Sequence, residues 1–321
     1  MNSHTFPLLR LLADGHFHSG EALGRSLGLT RAAIWNAVKQ AEELGVEIFS
    51  VRGKGYKLAQ PVDFLEQKII AELVGNDFAV EVLPSSPSTN THLMQRAAQG
   101  AASGSCVAAE LQTAGRGRRG RAWFSGLGNG LTFSLLWRFG MGAGSLGGLS
   151  LVAGVALVRA LEELGFAGIQ LKWPNDLLFE NRKLAGILIE LQGEMQGPTT
   201  AVIGIGLNLH LPEAARSSID QPVADLAEIG TLPSRSVILA TLLRHLGQVF
   251  HQFEQEGFPP LREEWQSRHA FHGHAVKLLL PDGSSKPAVI HGVAEDGTLL
   301  ADAGQGNQRF SSAEISLRGQ E

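Results

Sequence analysis

Apolar positions near the start of the chain recur at helical spacing in two short runs, residues 6 to 14 and 20 to 28, the second opened by Ser19, a good N-cap residue. A third helix is expected to begin after Thr30, with Ile34, Val38, Ala41 and Gly45 facing inward and Arg31, Asn36, Lys39 and Gln40 facing out. Gly28 falls in the turn between them. Residues 46 to 59 then alternate with period two around Arg52-Gly53-Lys54-Gly55, which predicts a hairpin with a basic, glycine-permitted tip. Three helices followed by such a hairpin make a winged helix-turn-helix.

Residues 59 to 63, with Pro61, read as a linker into a longer segment. There the pattern predicts strands at 79–83, 106–112, 131–139, 169–172, 183–191 and 201–209, and helices at 88–100, 146–165 and 236–256. Strands joined by tight turns with clustered helices favour an α+β fold, a mixed sheet with helices on one face. The tail from 274 to 317 has short β-like runs and turns at Pro281-Asp282-Gly283 and Asp296-Gly297, as a small β-barrel would.

Composition narrows this picture without redirecting it. A length of 321 residues exceeds what one core usually organises, so two or three domains are expected. With 44% hydrophobic and 18% charged residues, a folded soluble protein is expected. The apolar run 146–158 is closed by Arg159 and falls short of the roughly 20 residues a bilayer span requires, so it reads as a buried helix. One cysteine, Cys106, excludes an internal disulfide, and the start lacks the pattern of a secretory signal, so a cytoplasmic location with no membrane association is expected. The net charge of −4 excludes a wholesale nucleic-acid coat, but residues 1 to 60 carry seven Lys/Arg against five Asp/Glu, or +2, leaving −6 for the rest. That asymmetry permits DNA binding at the N-terminus. Thr30, Arg31, Asn36 and Lys39 on the third helix and Arg52 and Lys54 on the wing are the candidate contacts, although Trp35 and Ala37 are less polar than a base-reading face suggests. A protein-docking module remains the alternative reading.

The strongest chemical signal is Gly115-Arg116-Gly117-Arg118-Arg119-Gly120-Arg121, followed by Trp123. Glycines let backbone amides approach an anion, and arginine forks match carboxylate and phosphate oxygens. A Walker loop is excluded, because its terminal lysine-hydroxyl pair is missing. A solvated basic loop is the bland alternative, weakened by the position of this segment between two apolar strands. Lys172, Asp176 and Lys183, in the run 171–190, read equally well as a surface charge pattern on a hairpin. Gly204-Ile205-Gly206-Leu207-Asn208 is weak alone, since such glycines commonly serve only close packing. The pair His272 and His274 reads as a solvated strand edge, and no metal spacing is present.

Taken in order, Ser88-Thr89-Asn90, Gln112-Thr113-Ala114 with the arginine loop, KWPNDL at 172–177, RKLAGILIE at 182–190 and GIGLN at 204–208 resemble the biotin protein ligases. With the N-terminal winged helix the likeness extends over essentially the full length to those members that are also the biotin operon repressor. It implies domains at 1–62 (DNA-binding winged helix), 63–270 (biotin and ATP) and 271–321 (SH3-like barrel). It implies a two-step reaction: biotin and ATP, carried with Mg2+, give biotinyl-5'-AMP, and a lysine of the biotin carboxyl carrier protein of acetyl-CoA carboxylase then takes the biotin.

By the same resemblance Lys183 and Arg118 are catalytic. Ser88, Thr89, Asn90, Gln112, Gly115, Arg116, Gly117, Arg118 and Lys183 lie around biotin, and Arg119, Arg121, Trp123, Lys172, Asn175, Asp176 and Asn208 around the adenylate. No metal ligands are implied beyond those Mg2+ brings with ATP. Operator DNA is the second partner, bound by a homodimer that forms with the adenylate. The sequence departs from the family at Pro87, where an acidic residue is common, and at Ala122, where a basic one is. A lipoate-type ligase, a ligase without repressor activity and a catalytically silent biotin sensor are the competing readings; intact Lys183 and the unbroken arginine loop oppose the last.

Overall fold

The structure, a computed structural model, describes residues 3–193, 196–280, 284–311 and 316–319, the last four by backbone alone. The N-terminal module consists of α1 (Thr5–Leu11), α2 (Gly20–Leu27), α3 (Arg31–Glu43) and the antiparallel hairpin β1 (Ile48–Val51) and β2 (Gly55–Leu58). Its caps follow the sequence. Ser19 Oγ accepts from Ala22 N at 3.1 Å and Thr30 Oγ1 from Ala33 N at 3.2 Å, each such cap contributing about 1 kcal/mol. Gly28 closes α2 with φ 66°. Gly45 was expected on the inner face of α3, but the helix ends at Glu43 and Gly45 lies exposed in the following turn with φ 81°. Tyr56 and His18 exchange two backbone hydrogen bonds of 2.9 Å, which bring Gly55 so close to His18 that a Cβ would lie 2.0 Å from its carbonyl oxygen.

The central unit begins with α4 (Gln67–Val74), β3 (Ala79–Ser86), α5 (Thr89–Ala98), β4 (Ser105–Gln112) and β5 (Gly130–Phe139). It continues through α6 (Leu149–Glu163), β6 (Ile169–Lys172), β7 (Asp176–Phe179), β8 (Arg182–Gly193), β9 (Thr199–Asn208), α7 (Glu213–Ser218), α8 (Arg235–Glu256) and α9 (Pro259–Ser267). The sheet runs β3-β4-β5-β9-β8-β7-β6, parallel between β3 and β4 and antiparallel elsewhere.

Alternation along β5 shows how this sheet is covered. Leu131, Phe133, Leu135, Trp137 and Phe139 join the main core with the apolar faces of α4, α6 and α8, whereas Leu136 packs on the other side with Leu93 and Ala97 of α5. The expectation of helices on one face therefore holds for the long helices and needs correcting for α5, which lies on the opposite face. That second face stays partly open, and Thr132, Ser134, Gly204 and Gly206 point into it by the same alternation.

The C-terminal strands β10 (Ala275–Leu279), β11 (Ser285–Val293), β12 (Leu299–Asp302), β13 (Asn307–Phe310) and β14 (Ser316–Gly319) form an antiparallel sheet of order β13-β12-β11-β10-β14. The expected turn at Pro281-Asp282-Gly283 lies outside the described residues; the one at Asp296-Gly297 is present. Among the described residues no helix is long and apolar enough to cross a membrane.

The modules are joined by buried contacts. The N-terminal core contains Phe6, Leu8, Ile34 and Val38, and it also takes in Phe64, Leu111 at the end of β4, and Leu127. Beneath this joint the buried Arg235 donates to Glu110 Oε2 at 2.5 Å, to Asp63 O at 2.9 Å and to Gly130 O at 3.1 Å. At the other end Trp173 Nε1 donates to Gly297 O at 3.1 Å.

Candidate functional site

The open face of the sheet holds the charged motif residues because β7 and β8 pair there. Lys172 and Asp176 are opposite each other on β6 and β7, and the hairpin turn between them contains the cis Trp173-Pro174 bond. Lys183 Nζ stands 2.8 Å from Asp176 Oδ1, both side chains largely buried. Asp176 Oδ1 has this ion pair but no well-aligned hydrogen bond among the described residues. The backbone of Lys183 is gripped on both sides: its N–H donates to Pro222 O and its C=O accepts from Ala224 N, each at 2.9 Å. Asn208 Nδ2 donates to Lys183 O at 3.2 Å and to Ala224 O at 3.0 Å, so this amide fixes the strand that carries the lysine.

The glycines of β8 and β9 make room for two side chains. Gly186 and Gly206 are paired across the strands, and the Trp123 ring packs against both: a Cβ on Gly206 would come within 2.2 Å of Trp123 Cε2 and one on Gly186 within 3.2 Å of Trp123 Cζ3. Lys183 Nζ is 5.6 Å from the centroid of that ring. A Cβ on Gly204 would lie 2.2 Å from Asn90 Oδ1. The close-packing reading of this GxG is thus correct in kind, and what it packs are two motif side chains.

A polar cluster continues from Asn90. Its Nδ2 donates to Glu190 Oε2 at 2.8 Å and to Leu188 O at 3.2 Å, and Ser134 Oγ donates to its Oδ1 at 2.6 Å. Thr89 reaches Gln112 Oε1 through both its N–H (2.8 Å) and its hydroxyl (3.1 Å). Ser88 caps α5, its Oγ accepting from Thr91 N. Ser88, Thr89, Asn90 and Ser134 are buried and each has a hydrogen-bond partner here, with Gln112 and Glu190 at the half-buried edge, which makes a rigid polar floor.

Above this floor the arginine loop folds as a small hairpin, with Gly117 N donating to Arg121 O at 2.7 Å and Trp123 N to Gly115 O at 2.9 Å. Its tip holds Arg119 in the left-handed region (φ 56°). Arg116 donates to Thr91 Oγ1 at 2.9 Å and pairs with Glu190 at 3.5 Å, whereas Arg118 reaches across to Asn175 Oδ1 at 3.3 Å. Burial first, and then repulsion from Arg119 and Arg121, hold the Arg118 guanidinium below its usual range, with Asp176 acting in the opposite sense. Such a group gains most by meeting an anion. Arg119 and Arg121 are exposed, and Lys172 is half-buried at the end of β6.

Sequence reasoning missed Thr91, Ser134 and the role of Glu190 as the acid that ties Asn90 to Arg116. Ser134 carried a signal, a hydroxyl inside the apolar run of β5. Among the described residues no group of three or more His, Cys, Asp or Glu side chains is placed to hold a metal ion.

The sequence pattern of the Biotin/lipoate A/B protein ligase family matches residues 82–208, and that of an HTH domain matches residues 6–57. The bifunctional ligase/repressor BirA of Escherichia coli is 40% identical over the whole of both chains. The chain belongs to the biotin protein ligase family. The bifunctional ligase/repressor BirA of Bacillus subtilis is 31% identical over 95% of either chain. Among solved structures, the biotin protein ligase from Aquifex aeolicus in complex with biotin and ATP superposes with a TM-score of 0.64 at 29% identity, covering 75% of this chain and 99% of its own. Residues 6–57, with α3 and the wing, are the part in which this chain matches the HTH pattern.

Proposed function

We propose that this protein makes biotinyl-5'-AMP from biotin and ATP, transfers biotin to a lysine of a biotin carboxyl carrier protein, and represses transcription when loaded with the adenylate. The observation that carries this reading is a largely buried lysine paired with a carboxylate beside Trp123, on a sheet that also carries a polar floor and a glycine-arginine hairpin. We divide the chain at 1–62, 63–270 and 271–321, with a cytoplasmic location.

The floor of Ser88, Thr89, Asn90 and Gln112 suits a ureido ring, whose donors and acceptors are fixed. Gly115, Gly117, Arg116 and Arg118 then close over the acid. A biotin carboxylate oxygen attacks the α-phosphorus of ATP and the bond to pyrophosphate breaks. Charge gathers on the α-phosphate, and Lys183, exchanging Asp176 for the reacting oxygens, supplies a point charge there. Arg119, Arg121, Lys172, Asn175, Asp176 and Asn208 surround the phosphates or hold the strands that do so, with Mg2+ arriving on ATP and keeping most of its waters. The Trp123 ring, lifted from its glycines, is available to stack on adenine. In the second step the carrier lysine's amine attacks the acyl carbon, AMP leaves, and the amine proton is lost to solvent. A mixed anhydride hydrolyses in water, so the closed hairpin excludes solvent between the steps.

In the N-terminal module, Thr30, Arg31, Asn36 and Lys39 face the major groove and Arg52 and Lys54 the backbone phosphates. Operator binding requires a homodimer that presents two such helices. Exchange of labelled pyrophosphate into ATP, run with biotin, lipoate or octanoate, tests the enzymatic half; exchange with biotin alone is expected. Exchange with lipoate but not biotin would replace this reading by the acyl-ligase one.

A further inference from the structure

Trp35 is 53% exposed, the most exposed large apolar side chain among the described residues. It does not belong to the module's core, which takes Ile34, Ala37, Val38 and Ala41 from the same helix. It stands in the middle of an outward stripe with Arg31, Ala32, Asn36 and Lys39, all exposed. The first six residues of α3, Arg31 to Asn36, contain no acid, whereas Lys39 is tied to Glu42 at 2.7 Å. The N-terminal half of the helix is therefore its basic half, and Trp35 sits there. Arg52, Lys54 and Lys57 of the wing add positive charge to the same module. This complementarity favours a polyanionic duplex over an apolar protein surface.

We infer that Trp35 is a specificity-determining residue that reads thymine methyl groups in the major groove; the inference rests on the DNA-binding reading above. An indole offers one N–H donor and a wide apolar face, so it cannot form the two-pronged contacts by which Arg and Asn read guanine and adenine. The apolar feature of the major groove is the thymine C5 methyl. Asn36, the next residue, can take the N6 and N7 edge of an adenine. The two side chains together select an A·T pair with a thymine methyl beside it. Arg31, a turn before Trp35, faces the same groove and adds positive charge there, while Arg52 and Lys54 meet the phosphates, which position the helix without carrying sequence information.

The test begins with duplexes enriched from a random-sequence library by the full-length protein in the presence of biotin, ATP and Mg2+. Each thymine of the enriched duplex is then replaced by uracil, which deletes only the methyl. At fixed salt the wild type is expected to lose about tenfold in affinity at one or two positions of each half-site, the usual size of a single base contact. Trp35→Ala should bind the thymine duplex about tenfold more weakly and show no further loss at those positions, while Trp35→Phe keeps part of the sensitivity. The salt dependence should be unchanged, because no phosphate contact has been removed. Circular dichroism checks that the variants are folded. A flat uracil scan, or the same sensitive positions in Trp35→Ala, overturns the role of Trp35 while leaving DNA binding intact. Failure to enrich any duplex overturns DNA binding itself and makes Trp35 part of a protein-docking face.

Discussion

Lys183 lies on a largely buried face with its Nζ 2.8 Å from Asp176. In such a place a charge acts at short range and with little screening, so its removal should be felt in the transition state more than in binding. Lys183→Met keeps the length of the side chain and removes only the charge. Single-turnover formation of biotinyl-5'-AMP should fall at least 100-fold, in line with the roughly 2.7–4 kcal/mol lost when a well-placed oxyanion donor is deleted. A rate within about twofold of wild type would end the role.

A second residue matters through what it lacks. His269 is 5% exposed and stacks on Trp265 with ring centroids 4.6 Å apart, and neither ring nitrogen has a partner among the described residues. Burial, followed by the charges of His272 and His274, pushes its pKa from 6.5 down to about 3. The unfolded chain takes up a proton below pH 6.5 that the folded chain refuses. The stability contributed by neutral His269 is therefore complete above that pH and is lost as pH falls toward 3, by up to about 1.4 kcal/mol per pH unit. His269→Phe should show a smaller drop in urea midpoint between about pH 7.5 and about pH 5 than the wild type. Equal drops would place the acid sensitivity elsewhere.

At the scale of elements, the arginine hairpin and the glycine strand each make a separable prediction. Arg118 crosses from the hairpin to Asn175, so Arg118→Gly should let the adenylate escape before transfer and label lysines on bystander proteins, read by streptavidin blot. Labelling confined to the carrier protein would show that Arg118 is not part of the lid. Gly204→Ala places a methyl where Asn90 Oδ1 now lies, so Asn90 must leave its seat. The KM for biotin should rise about tenfold, roughly 1.4 kcal/mol, with little change in the KM for ATP. A parallel rise in both would mean that β9 has shifted as a whole.

What could be read from sequence follows from where each element's signal resides. Ser19 and Thr30 announce their helices because a cap is a local hydrogen bond. The helices α4, α7 and α9 went unread, and all three start on residues that make no side-chain cap, Glu66, Pro212 and Phe258, with Pro259 and Pro260 reading as a break. The strand β7 was visible only as a charge pattern, because its sequence Asp176-Leu177-Leu178-Phe179 is an apolar run without alternation. The face on which α5 lies is decided by which side of β5 receives Leu93 and Ala97, a tertiary fact with no local trace. The same holds for Glu110 and Arg235, which meet across 125 residues of chain.

At the scale of the whole molecule, the DNA-reading module and the ligand loop share material. Leu111 and Leu127 lie just before and just after the segment 112–126 that contains the arginine hairpin, and both are buried in the N-terminal core. Arg10 of α1 reaches Glu66 at 2.6 Å and Leu65 O at 3.2 Å, and its guanidinium lies 4.7 Å from the Phe64 ring centroid. Between these contacts a cleft of about 1250 Å³ separates the modules, lined by Val46, Pro61, Gln112, Gly115 and Phe124 among others. The hairpin segment is thus anchored to the winged-helix module at two apolar points, and an adenylate that orders the hairpin is expected to act on the module through them. If ordered hairpins also form part of the subunit interface, ligand and second subunit must each raise the other's affinity by the same factor. Saturating biotinyl-5'-AMP should strengthen dimerisation at least tenfold in sedimentation equilibrium, about 1.4 kcal/mol of coupling. It should also produce protection of DNA upstream of biotin-synthesis genes, which addition of carrier protein reverses by consuming the adenylate. Dimerisation that does not change on saturation would remove the coupling. Protection that survives an excess of carrier protein would show that repression follows biotin supply alone and not the balance between adenylate synthesis and its use.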